Sequence, residues 1–141
     1  MNKDSNDWAG GSFPFMEPSK SNPVMGPLYV LVVEDEALVR LVAVAHLTDH
    51  GFSVTEAASA TDAVIALKAD SLVELVFSDI QMPGEMDGVD LARWIARERP
   101  EVKVLLTSGR PLSETARAWP FVSKPYRMEN VERRLREMAH A

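Results

Sequence analysis

Residues 28–36 read Leu28-Tyr29-Val30-Leu31-Val32-Val33-Glu34-Asp35-Glu36. The first six carry no charged or amide side chain, and the next three are all acids. An apolar run of this length, too short for a helix of its own, fits a strand covered on both faces, as in the middle of a parallel sheet. The abrupt switch to acids at its carboxyl end marks the edge of that sheet.

Working outward, the pattern repeats. Residues 37–50 are rich in Ala, Leu and Val at helical spacing, and Gly51 offers a C-terminal cap. Phe52–Glu56 alternates like a strand. Ser59, with Asp62 three residues on, opens a helix running to Lys68. Val73–Phe77 is a third strand. Asp87 to Arg99 is a helix stopped by Pro100, Val102–Leu106 a fourth strand, and Phe121-Val122 a short fifth. Met128 to Ala139 forms a last helix with Val131, Leu135 and Met138 on one face. Strands alternating with helices imply right-handed crossovers and a parallel sheet covered on both sides. One crossover is compressed. Only thirteen residues separate Thr107 from Phe121, among them Gly109, Pro111 and Pro120. They leave room for about two helical turns at most, around Ser113 to Trp119.

Ligands of open α/β sheets bind beyond the carboxyl ends of the strands. Those ends hold Glu34-Asp35-Glu36, Ser78-Asp79, Thr107-Ser108 and Ser123-Lys124. A hard cation such as Mg²⁺ takes a few carboxylate oxygens, which Glu34, Asp35 and Asp79 can supply. A carboxylate can also act as nucleophile toward phosphorus. The negative charge of a transferring phosphoryl group is stabilised by a metal, an ammonium and a hydroxyl held in place. Lys124 and Thr107 suit the last two roles. Singly, each residue has an ordinary explanation: acids favour a helix start, and Asp79 could cap a turn. Together on one sheet edge they form a phosphorylation site.

The set Val32-Val33-Glu34-Asp35-Glu36, Ser78-Asp79-Ile80-Gln81-Met82-Pro83, Met86-Asp87-Gly88, Leu106-Thr107-Ser108-Gly109 and Lys124-Pro125-Tyr126 resembles the receiver domain of two-component response regulators. The resemblance runs from residue 28 to about 139. It implies a flavodoxin-like (βα)5 doubly wound fold with strand order 2-1-3-4-5, here with a shortened fourth helix, similar to stand-alone and hybrid-kinase receivers of alphaproteobacteria. It also implies that Asp79 takes phosphate from a histidine kinase or histidine phosphotransfer protein. Glu34, Asp35, Asp79 and the backbone carbonyl of Gln81 would hold Mg²⁺. Lys124 would pair with the phosphoryl group, its bond to Pro125 being cis. Thr107 and Phe121 would form a switch that alters a surface read by a downstream protein. Three departures stand out. The loop after Pro83 is one residue longer than usual, and Gly109 offers no side chain to place an attacking water. The short fourth crossover moves the expected partner surface toward the first helix, the last helix or the 109–119 loop.

Other classes fit less well. A haloacid-dehalogenase-type hydrolase wants a second acid two residues after the nucleophile, where Gln81 stands. A receiver that only binds would be expected to lose an acid, the threonine or the lysine, and none is missing. His46 and His50 have the i, i+4 spacing of a metal pair, but the sequence identifies no third ligand. Placed in the last turn of a helix, where cationic groups suit the dipole, they read as structural.

Composition bounds the rest. The chain has 141 residues, one domain's worth, with 46% hydrophobic and 26% charged residues. It has no cysteine, which excludes disulfides and thiolate chemistry. No apolar run approaches the roughly 20 residues that span a bilayer, and no signal pattern opens the chain, so a cytoplasmic location without membrane contact is expected. The net charge of -6 argues against a nucleic-acid partner. Arg127, Arg133, Arg134 and Arg136, interleaved with Glu129, Glu132 and Glu137, read as a solvated, salt-bridged helix. Residues 1–27 hold four of the nine prolines and three of the seven glycines, and read as a flexible tail with one apolar patch, Phe13–Met16. Residues 28–141 form the receiver unit. With the chain ending directly after the last helix, the expectation is a signalling module, not an enzyme, that acts through protein contacts as a monomer or weak dimer.

Overall fold

The computed structural model describes residues 26–141. The expected tail, with its Phe13–Met16 patch, lies outside the described residues except for Gly26 and Pro27. Strands and helices alternate as β1 (Tyr29–Val33), α1 (Ala37–Asp49), β2 (Ser53–Ala57), α2 (Ala60–Ala69), β3 (Leu75–Asp79), α3 (Gly88–Glu98), β4 (Lys103–Ser108), a 3-10 turn (Ala116–Ala118), β5 (Phe121–Ser123) and α4 (Met128–Ala139). All strand pairings are parallel, in the order β2-β1-β3-β4-β5. This is the flavodoxin-like arrangement expected from the sequence.

Strand alternation divides the core into two layers. Leu31 and Val33 point to one face, where they join Val76, Leu106 and the α2 and α3 residues Leu67, Leu91 and Ile95. Val30 and Val32 point to the other, with Leu75, Phe77 and Leu105 against Leu47 of α1 and Val131 and Leu135 of α4. Side chains as fully buried as these each contribute about 1.5–3 kcal/mol relative to exposure.

Local signals set the helix ends. The Ser59 hydroxyl accepts the Asp62 N–H at 3.0 Å and caps α2. Asp87 and Asp90 bond reciprocally to each other's backbone N–H at 2.9 and 3.0 Å, closing a capping box on α3. Gly51 leaves α1 with φ +92°, a conformation open to glycine.

All the strand boundaries differ from the sequence reading: β1 starts at Tyr29 instead of Leu28, β5 runs one residue further to Ser123, and the other three are displaced. β3 covers Leu75–Asp79 instead of Val73–Phe77, and β4 covers Lys103–Ser108 instead of Val102–Leu106. In both, the ladder continues through the polar residues, since Ser78 pairs with Leu106 and Asp79 with Thr107. Hydrophobic patterning stops where the side chains turn polar, but the backbone bonding does not. β2 is displaced by one residue because its ladder with β1 runs from Ser53, opposite Tyr29, to Ala57, opposite Val33. The compressed fourth crossover holds only the 3-10 turn, which the Ser113 hydroxyl supports by accepting the Ala116 N–H at 3.1 Å.

Candidate functional site

The carboxyl ends of β1, β3, β4 and β5 converge, and the strand register determines which side chains meet. Asp79 ends β3 beside Thr107 on β4, and both are buried. Glu34 follows β1, buried at 4% exposure, while its neighbour Asp35 is exposed. Lys124 follows β5, its backbone N–H donating to the Ser108 carbonyl at 3.0 Å. One carboxylate oxygen from each of Glu34, Asp35 and Asp79 lies within 4.8 Å of the others. The Lys124 ammonium reaches over this cluster, 3.0 Å from Asp79 Oδ2 and 3.7 Å from Glu34 Oε1. The Lys124–Pro125 peptide is cis.

Two buried polar atoms here have no partner in the protein: Asp79 Oδ1 and Thr107 Oγ1. Elsewhere such groups are nearly always paired, because a lost partner costs about 1–3 kcal/mol. Two of them on neighbouring strands, facing a carboxylate cluster, mark a place built for a ligand rich in oxygen and for a cation. The oxygen-only donor set of Glu34, Asp35 and Asp79 fits a hard divalent ion.

The electrostatics follow from burial and charge. Burial pushes the Glu34 carboxyl above its usual range and the Asp79 charge adds to this; the Glu36 N–H bond, at 3.1 Å, and Lys124 pull the other way. Partial burial pulls the Lys124 ammonium down, but the hydrogen bond to Asp79 and the charges of Asp79 and Glu34 outweigh it and hold the group above the ordinary lysine value. Tyr126 is raised by burial above all. Its ring meets Phe77 edge-on at 5.6 Å, anchoring the segment after Lys124 to the core.

Arg40 escaped the sequence reading, and Ser108 and Gly88 were quoted there only as parts of motifs. Arg40 donates to the Glu34 carbonyl at 2.7 Å and to the Glu56 carboxylate at 2.9 Å, tying the acidic loop to α1 and β2. Its signal was weak, a lone arginine one turn into a helix. The Ser108 hydroxyl donates to the Gln81 side-chain oxygen at 2.5 Å and accepts the Arg110 N–H at 3.0 Å. Gly88 lies so close under β3 that a Cβ there would overlap the Asp79 carbonyl oxygen and the Ile80 Cα. Of the expected switch pair, Thr107 is buried in the rim, whereas Phe121 is half-buried and packs on the α2–α3 side of the core. Gly84, in the loop after Pro83, takes φ +106°.

Comparison with known proteins agrees with this geometry. The family model described as response regulator receiver domain matches residues 30–136. The chain is 35% identical over 126 residues to the sensor kinase CckA of Brucella abortus, covering 84% of this chain and 13% of that protein. It is 34% identical over 109 residues to the nitrogen assimilation regulatory protein NtrX of Azorhizobium caulinodans, covering 72% of this chain and 24% of that one. The chain thus spans a minor part of these relatives. Among solved structures, a response regulator receiver protein from Sinorhizobium medicae superposes with a TM-score of 0.75 at 26% identity, covering 82% of this chain and 96% of that one.

Proposed function

The chain belongs to the response regulator receiver domain family, and from that premise we propose that Asp79 accepts a phosphoryl group from a phosphohistidine of a kinase or phosphotransfer protein. The observation that carries this reading is the pair of unpartnered buried atoms, Asp79 Oδ1 and Thr107 Oγ1, side by side on β3 and β4. In the transfer, a carboxylate oxygen of Asp79 attacks phosphorus, the P–N bond breaks, and the imidazole leaves with the electron pair and takes up a proton. Lys124 balances the charge of the incoming phosphoryl oxygens, and the Thr107 hydroxyl donates to one of them. Glu34, Asp35, Asp79 and the Gln81 carbonyl would hold Mg²⁺, which supplies neutralisation of the phosphoryl charge.

Partner docking on α1 is supported by Leu38, Leu41 and Val42, exposed at 77, 60 and 59%. Val42 also lines an apolar cavity of about 520 Å³ with Val39, Tyr126 and Met128, and Lys124 stands at its edge. A histidine-bearing helix pressed there would lie next to the acceptor. Output would pass to a downstream protein through phosphorylation-dependent contacts. No helix among the described residues is long and apolar enough to cross a membrane, in keeping with a cytoplasmic site of action. A second reading, the receiver unit of a longer hybrid kinase, is favoured by the match to CckA.

Intact-mass analysis with acetyl phosphate, with and without Mg²⁺, tests the proposal. One phosphoryl group should add to the parent only with Mg²⁺, and none to Asp79→Asn. Equal addition to both proteins would move the acceptor elsewhere.

A further inference from the structure

His46 and His50, one turn apart on α1, face Glu132 of α4. The two rings stack with centroids 4.1 Å apart and planes at 16°. Glu132 Oε1 lies 3.0 Å from His46 Nε2 and 4.0 Å from His50 Nε2. The other oxygen, Oε2, is taken by Arg136 Nε at 3.2 Å, leaving Oε1 turned toward the imidazoles. His50 Nδ1 stands 2.7 Å from the His46 carbonyl oxygen. A carbonyl can only accept, so Nδ1 carries the hydrogen and the neutral ring keeps its lone pair on Nε2. Across 4.0 Å that lone pair faces Glu132 Oε1, which also shares the hydrogen bond with His46 Nε2 at 3.0 Å.

We propose that His46, His50 and Glu132 form a second metal site, for a Zn²⁺-class transition ion, apart from the acidic rim. One ligand atom from each residue lies within 4.8 Å of the others. With Zn–N and Zn–O bonds near 2.0–2.2 Å, a tetrahedral site wants its ligand atoms roughly 3.3–3.6 Å apart. The observed 3.0 and 4.0 Å separations bracket that spacing; to aim both in-plane lone pairs at one ion, one of the stacked rings must turn out of parallel. The surroundings are also those of a metal site: a backbone carbonyl holds the far nitrogen of one histidine and an arginine holds the far oxygen of the carboxylate. Two imidazoles and one carboxylate favour Zn²⁺, Cu²⁺ or Ni²⁺ over Mg²⁺, the reverse of the all-oxygen rim. His50, with 46% of its side chain exposed, gives entry from solvent and leaves the fourth position to water or a partner's side chain. A bound ion would cross-link α1 to α4 and stiffen the helix that carries the exposed Leu38, Leu41 and Val42 face.

The test uses the full chain stripped of metal with a chelator, titrated with Co²⁺ for its visible absorption and then with Zn²⁺ in competition. One equivalent should bind with a tetrahedral spectrum, be displaced by Zn²⁺ and not by Mg²⁺. Loss of even a supporting partner weakens metal sites by about 10–100-fold, so His50→Ala and Glu132→Gln should each weaken binding at least about tenfold. His140→Ala and Asp79→Asn should bind like the parent. His50 is exposed, so its variant should melt like the parent without metal, while Zn²⁺ should raise the melting temperature of the parent and not that of the His50 variant. Undiminished binding in both ligand variants, loss of binding in Asp79→Asn or His140→Ala, or no saturable binding at micromolar Zn²⁺ would overturn the proposal.

Discussion

Thr107 is costly to the protein as it stands and, in the proposed function, useful once Asp79 is phosphorylated. Its hydroxyl is buried and unpartnered, so replacing it with a methyl group of similar shape should relieve an unmet hydrogen bond. Thr107→Val is expected to raise the stability of the unphosphorylated protein by about 1 kcal/mol, a rise in melting temperature of roughly 2–6 °C. The same variant should still take phosphate on Asp79 but lose the structural response to it. Thermal melts with and without acetyl phosphate and Mg²⁺ would show this; a variant less stable than the parent would mean that Thr107 has a partner in solution. Arg40 makes the complementary case. It touches none of the proposed reacting groups, yet holds the Glu34 carbonyl and Glu56. Arg40→Ala should weaken Mg²⁺ binding about tenfold or more through the displaced acidic loop, measurable by calorimetric titration, with far less effect on folding.

At the scale of elements, the rim acids, Lys124 and Thr107 were legible because each sits at the end of an apolar run, and residue type with position was enough. The strand ends were not legible: Ser78, Asp79, Thr107 and Ser108 stay in the ladder, and polarity alone reads as the start of a loop. Nor could the sequence bring Glu132 to the two histidines, since that contact spans 86 residues and depends on α1 and α4 sharing one face of the sheet. Gly88 was quoted as part of a motif, but its reason is a close approach that only coordinates reveal. A methyl group there would press on backbone under the proposed acceptor, where nothing flexible can yield. Gly88→Ala should cost roughly 1–3 kcal/mol and slow acetyl-phosphate labelling of Asp79. Arg99 is a second element-level device. From the C-cap of α3 it reaches back to the Leu67 carbonyl at 2.6 Å and to the Asp70, Ser71 and Val73 carbonyls at 3.4–3.5 Å, closing the end of α2. Lysine cannot reproduce that fork, so Arg99→Lys should still lose about 1–2 kcal/mol in denaturant unfolding.

For the whole molecule, the question is where a phosphoryl group on Asp79 would be felt. The proposed acceptor ends the central strand β3, and three routes lead from it to the surface. The route through β3 to α3 is stiff, since Gly88 packs against the Asp79 backbone and the capping box fixes the helix start. The route through β1 to α1 is tied by Arg40 to both Glu34 and Glu56. The route through Thr107 and Ser108 enters residues 109–119, which hold one 3-10 turn in place of a helix and bury only Ala116. Few buried contacts mean a low cost of rearrangement. A hydroxyl drawn toward a phosphoryl oxygen would therefore shift this segment before either flanking helix, despite the missing helical face. Hydrogen exchange followed by mass spectrometry, with acetyl phosphate and Mg²⁺, should show its largest change in peptides covering 107–122, with α2 and α3 unaffected. Thr107→Val should abolish that change while leaving the mass gain on Asp79 intact. A change confined to α1 would instead place the output on the same surface proposed to receive the phosphoryl donor, and donor and target would then have to compete for it.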